Sequence, residues 1–101
     1  MSQDFSLALD PVSNQIQVGG ELTFATANKL LTESAKLFAS LTSIDIDLSA
    51  VNNSDSAGVA LLVEWLRLAK QTGKKIVFTN IPEQMIVIAD ISGLDELLPL
   101  Q

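Results

Sequence analysis

Aspartates are the side chains of this sequence best placed to do chemistry. Asp45 and Asp47 stand two apart in the alternating run Ile44-Asp45-Ile46-Asp47-Leu48, so both project from one face of a strand. Asp55 follows in the polar stretch Asn52-Asn53-Ser54-Asp55-Ser56. Three carboxylates could hold Mg²⁺, and two could share acid–base work, which makes a metal-dependent enzyme one reading. The plainer reading puts Asp45 on a solvated face and has Asp47 and Asp55 bind loop amides. No phosphate-binding lysine or other electrophile stands beside them in the chain.

Other catalytic chemistries lack their parts. The 101 residues include no histidine and no cysteine, which removes the imidazole base, the thiol nucleophile, the disulfide and the Cys/His zinc site. A serine nucleophile would need a Ser–Lys dyad, and the six basic residues fall mostly on expected exposed helix faces. Gly19, Gly20, Gly58, Gly73 and Gly93 make neither a dinucleotide-binding nor a P-loop spacing, and Gly73-Lys74 ends a helix instead of opening one. Twelve acidic against six basic residues give a net charge of −6, the wrong sign for nucleic acid.

What remains is the junction from Asp47 to Gly58, where a strand leads through a polar loop into a helix. Loops after the carboxyl ends of parallel strands are where α/β sheets present their sites. Ser56 is expected as the helix N-cap, its hydroxyl facing free amide N–H groups. It is either a cap alone or a phosphoacceptor. A phosphate there would suit the helix N-terminus and add about two negative charges to an exposed surface.

The elements that position this junction can be read from periodicity. Phe5, Leu7 and Leu9 alternate as a strand, ended by Asp10-Pro11; Ile16 and Val18 form a second, closed by Gly19-Gly20. From Phe24 the period becomes helical, through Ala27, Leu30, Leu31, Ala35 and Phe38, with Thr23 as the expected N-cap. Ile44, Ile46 and Leu48 mark a third strand. A helix from Ala57 to Gln71 is stopped by Gly73, Lys75–Thr79 is a fourth strand, and Pro82 starts a third helix that ends near Gly93. The tail from Leu94 to Leu100 fits either a helical turn or an edge strand. The order β-β-α-β-α-β-α implies one α/β domain over residues 1–101, a small mixed sheet with helices packed against it. A hydrophobic content of 48% supplies its core. The N-terminus has no signal-peptide pattern, and no apolar run approaches the roughly 20 residues of a membrane span, so a soluble cytoplasmic protein is expected.

The second helix carries one more clue. Val59, Leu62, Val63, Leu66 and Ala69 form an apolar arc, which Leu61, Trp65 and Leu68 widen to about 220°, well past the ≳100° stripe a core-facing helix needs. Either the helix is wedged between other elements, or the flank of Leu61, Trp65 and Leu68 is a docking face. Tryptophan is enriched at interface hot spots, which keeps the second option open.

Taken together, Gly20-Glu21-Leu22 before the first helix, Asp47-Leu48-Ser49 with Val51, and Asp55-Ser56-Ala57-Gly58 at the second helix resemble the STAS domain family. Anti-sigma factor antagonists and sulfate transporters carry this domain. The stretches Gly20–Ala27 and Gly58–Leu62, with Leu68-Ala69-Lys70-Gln71, look most like the MlaB-type branch, the small cytoplasmic subunit of the Mla phospholipid ABC transporter. The resemblance implies a non-enzymatic accessory subunit without a cofactor, docked on the transporter's ATPase subunit at the inner face of the inner membrane and serving outer-membrane lipid asymmetry. It puts the phosphoacceptor or partner contact at Ser56, in a partner-binding loop with Asn53, Ser54, Asp55 and Gly58. The family usually has an apolar residue before the Asp; here Ser54 stands there after Asn53, offering a second acceptor. The alternative within the family is an anti-sigma factor antagonist regulated by a serine kinase at Ser56. Direct membrane insertion and binding to anionic headgroups are not expected of so acidic a chain.

Overall fold

The computed structural model describes residues 4–93. Its elements run β1 (Phe5–Leu9), β2 (Gln15–Leu22), α1 (Ala27–Phe38), β3 (Ser43–Ser54), α2 (Ser56–Gln71), β4 (Lys75–Thr79) and α3 (Glu83–Ile91). This is the expected order. The tail beginning at Leu94 lies outside the described residues.

The four strands form one sheet in the order β1-β2-β3-β4. β1 and β2 are an antiparallel hairpin with Leu9 opposite Ile16. β2–β3 and β3–β4 are parallel, pairing Ile16 with Ile46 and Ile46 with Phe78. The hairpin turn is built by Asp10, whose Oδ1 accepts from the amides of Val12 and Ser13, and by Asn14 at φ 58°. These amides hold the Asp10 carboxyl below its ordinary value.

Alternation decides which face is covered. Ile16, Val18, Ile44, Ile46, Leu48, Ile76 and Phe78 are buried, while Asp45, Asp47, Val77 and Thr79 between them are half-buried on the opposite, open face. α2 lies at the centre of the helical layer, against α1, α3 and strands β2, β3 and β4. That placement accounts for its broad apolar arc: the helix is wedged, and it needs apolar side chains on three sides. Trp65 is completely buried, with its ring centroid 6.4 Å from that of Phe38 and 6.5 Å from that of Phe78. Its indole Nε1 donates to Ser34 Oγ at 2.6 Å, which satisfies both polar groups inside the core.

Three boundaries differ from the sequence reading. β2 continues past Gly19-Gly20 to Leu22, because two register irregularities let it keep pairing with β3. β3 likewise runs on to Ser54, since Asn53 and Ser54 pair with Glu21 and Leu22; most of the expected polar loop is strand. α1 begins at Ala27 and not at Phe24. Residues 23–26 form a turn closed by Thr26, whose Oγ accepts from the Thr23 amide and donates to the Glu21 carbonyl.

Candidate functional site

The parallel pairing brings the ends of β2 and β3, the turn before α1 and the start of α2 to one end of the sheet. Asp55 organises this end. It is the N-cap of α2, with Oδ1 accepting from the amides of Ala57 at 2.8 Å and Gly58 at 3.3 Å. Its other oxygen, Oδ2, accepts from the amide of Phe24 at 3.1 Å. Its own amide donates to the Leu22 carbonyl at 3.3 Å. One aspartate thus ties the β2–α1 turn to the start of α2.

Ser56 is therefore not the cap. It is the first residue of α2 and it is exposed. With the carboxylate already holding the helix-start amides, the hydroxyl is left at the surface. Asn53 is exposed on the last turn of pairing between β2 and β3. Ser54 is buried, which removes it as a second acceptor: its amide donates to Gln84 Oε1 at 3.2 Å and its Oγ donates to the Asp55 carbonyl at 3.2 Å. Gly58 is buried where a Cβ would overlap the Leu22 carbonyl oxygen and Ser54 Oγ. Only glycine lets α2 approach the end of β2 this closely.

The expected docking face divides. Leu61 and Trp65 are core residues, 3% and 0% exposed, so Trp65 offers nothing to a partner; Leu68 is half-buried. An exposed apolar side chain on the turn tied to Asp55 is Phe24, where the periodicity predicts the first turn of the helix. Phe24 is 87% exposed. It lines a groove of about 200 Å³ between α1 and α2, together with Ala27, Asn28, Leu31, Ala57, Leu61 and Glu64. That volume is below the roughly 300–1,000 Å³ of small-molecule sites and suits an inserted side chain better than a cofactor. The signal that would have found Phe24 is Thr26, whose side chain can close a turn before the helix.

The three aspartates do not converge. Asp45 and Asp47 lie on the open sheet face, whereas Asp55 caps a helix on the covered side. Asp45 accepts from Gln15 Nε2 at 3.4 Å. Asp47 accepts from the Ser49 amide at 2.9 Å and from Asn80 Nδ2 at 3.0 Å. Partial burial pushes the Asp47 carboxyl up, but the Asn80 and Ser49 hydrogen bonds outweigh it, and the group sits below its ordinary value of 3.8. Among the described residues no group of three His, Cys, Asp or Glu side chains is placed to hold a metal ion, so the metal-enzyme reading loses its site. No helix among them is long and apolar enough to cross a membrane.

Comparison with known proteins bears on the fold and the family. The anti-sigma-B factor antagonist of Bacillus subtilis (strain 168) is 26% identical over 86 residues, spanning 85% of this chain and 79% of its own length. The structure of the anti-sigma factor antagonist SpoIIAA in its unphosphorylated form superposes with a TM-score of 0.70 at 17% identity, covering 95% of this chain and 88% of that one. The Bacillus cell fate determinant SpoIIAA in its phosphorylated form gives 0.66 at 19% identity, covering 96% and 90%. These two share the fold. A family model described as the Mlab STAS domain matches residues 5–99, nearly the whole sequence, and the chain belongs to that family of STAS domains.

Proposed function

We propose that this protein is a non-enzymatic accessory subunit of an ABC-type phospholipid transporter, docking on the ATPase subunit through the end of the sheet that carries Ser56. The observation that carries the reading is the match to the MlaB-type STAS model over residues 5–99. The site is in keeping with it. An exposed hydroxyl on a rigidly capped helix start, next to an exposed aromatic and a shallow apolar groove, suits recognition of a protein surface. Asn53, Asp55 and Ser56 would give polar specificity and the groove apolar affinity. In this reading the protein meets the inner face of the inner membrane only through its partner.

The test is co-purification with an ABC ATPase from the native cell, followed by titration of that ATPase with Ser56→Asp. The substitution puts a charge at the centre of the proposed contact, and about tenfold weaker binding is expected. Unchanged affinity would rule out this surface as the contact.

A second reading is favoured by the named relatives, an anti-sigma-B factor antagonist and a SpoIIAA solved in a phosphorylated form. It makes this protein an anti-sigma factor antagonist whose partner is a serine kinase acting on exposed Ser56. Labelling by such a kinase that disappears in Ser56→Ala would select it over the transporter role.

A further inference from the structure

We infer that two copies of this chain associate through the outer side of α2 and α3, with α3 of each copy laid on α2 of the other. The surface uses the flank of α2 turned away from α1 and from the groove at Phe24, so it stands apart from the docking reading above.

Four observations carry it. First, α3 is apolar nearly all round, the pattern of a helix that is buried. Met85 and Ala89 are in the core, yet Ile86, Val87 and Ile91 are 40%, 49% and 80% exposed. They are three of the five large apolar side chains exposed among the described residues. Second, α2 has an apolar groove on its flank away from α1. Val63, Leu66 and Lys70 share that flank at i, i+3 and i+7, opposite Leu61, Glu64 and Leu68, which line the grooves toward α1. With Arg67 and Gln71 they line a groove of about 240 Å³ whose lining has two cations and no acid. Third, each helix carries a charge with no partner at hand. Arg67 pairs with Glu64 at 3.4 Å, whereas Lys70 and Asp90, both exposed, make no ion pair among the described residues. Asp90 also stands in the last turn of α3, where the macrodipole disfavours an acid and α3 has no cation of its own. Fourth, the positions match. β3 and β4 are parallel, α2 follows the one and α3 the other, so both helices start at the same end of the sheet. Lys70 and Asp90 therefore both stand toward the opposite end. A two-fold axis along the seam between α2 and α3 keeps those ends together and sets each α3 on the other copy's α2, with Lys70 facing Asp90 twice over. One chain thus supplies both halves, the acidic apolar helix and the cationic apolar groove, and this selects a second copy as the occupant. An anionic membrane would meet Glu83 and Asp90 on the exposed helix. The charge of −6 on each copy is screened beyond about 8 Å at physiological ionic strength.

The test is sedimentation equilibrium of the full chain at physiological ionic strength, with filtered NOEs between isotope-labelled and unlabelled copies. Expected are a reversible dimer and intermolecular contacts of the Val87 and Ile91 methyls with Val63 and Leu66. Ile91→Ser should weaken the dimer about tenfold. Ile91 lies outside the core, so this variant keeps the fold. Lys70→Glu and Asp90→Lys should each weaken it about tenfold, since each sets like charges together at both contacts. The double variant reverses both signs and should restore most of the affinity, a rescue that a merely local role for either residue would not give. A chain that stays monomeric at millimolar concentration would overturn the inference. So would a dimer that Ile91→Ser leaves intact or that Phe24→Ala dissolves, or a double variant no better than the single ones. Contacts of Ile86 and Ile91 with residues 94–101 of the same copy would assign the face to that segment instead. Shifts at Ile86 and Ile91 that arise only when an ABC ATPase is added would assign it to that partner, and either result defeats the dimer.

Discussion

At the scale of single residues, similar side chains separate by what their oxygens touch. Asp55 spends both carboxylate oxygens on backbone amides from two segments, and Asp47 accepts from Ser49 and Asn80. Neither is left over for acid–base work. Asp47 has a measurable consequence in pH. Its native carboxyl titrates below the ordinary 3.8, so in acid the unfolded chain binds the extra proton. The stability it contributes is present above 3.8 and is lost as pH falls through the lowered native value. Asp47→Asn should therefore be less stable than wild type at neutral pH. The gap should narrow progressively below 3.8. Urea midpoints of both proteins across that range check it, and a gap independent of pH would mean that the carboxylate charge is not what Asn80 and Ser49 stabilise.

At the scale of elements, the decisive contact is α2 against the end of β2. Alanine at Gly58 should help the helix by about 1 kcal/mol on intrinsic propensity. The Leu22 carbonyl and Ser54 Oγ occupy the space its Cβ needs, and overpacking of that kind costs about 1–3 kcal/mol. The net effect of Gly58→Ala should be a loss of stability, read as a lower urea midpoint; a gain would show that α2 can shift away from β2 freely. This contact also explains what could and could not be read from the chain. Strand alternation in Ile44-Asp45-Ile46-Asp47-Leu48 and the helical period from Val59 to Ala69 are local patterns, and they placed the elements in order. The extension of β2 and β3 through Gly19–Leu22 and Val51–Ser54 depends on the two segments pairing with each other, which neither shows alone. The cap moved from Ser56 to Asp55 for a similar reason. Both types cap well, and the choice was made by the Phe24 amide 31 residues away. Trp65 was legible as apolar but not as inner or outer, since its address depends on α1 supplying Ser34 and Phe38.

At the scale of the molecule, charge and shape divide the work of association. In the proposed docking, net charge acts at a distance and speeds encounter with a partner of opposite charge, whereas the groove at Phe24 acts only on contact and slows departure. The two contributions should separate in kinetics with the proposed ATPase partner. Raising salt from low to physiological strength shortens the reach of the field to about 8 Å, so the association rate should fall severalfold with little change in dissociation. Phe24→Ala should do the opposite, raising the dissociation rate about tenfold while keeping the wild-type salt dependence of association. Substituting Glu64 with Gln should flatten the salt dependence slightly, because Glu64 is one of 12 acidic residues in the field. Surface plasmon resonance at several ionic strengths reads wild type and both variants. If Phe24→Ala slowed association and left dissociation alone, Phe24 would be guiding the encounter and not anchoring the complex. The acidity and the groove would then be parts of one steering surface.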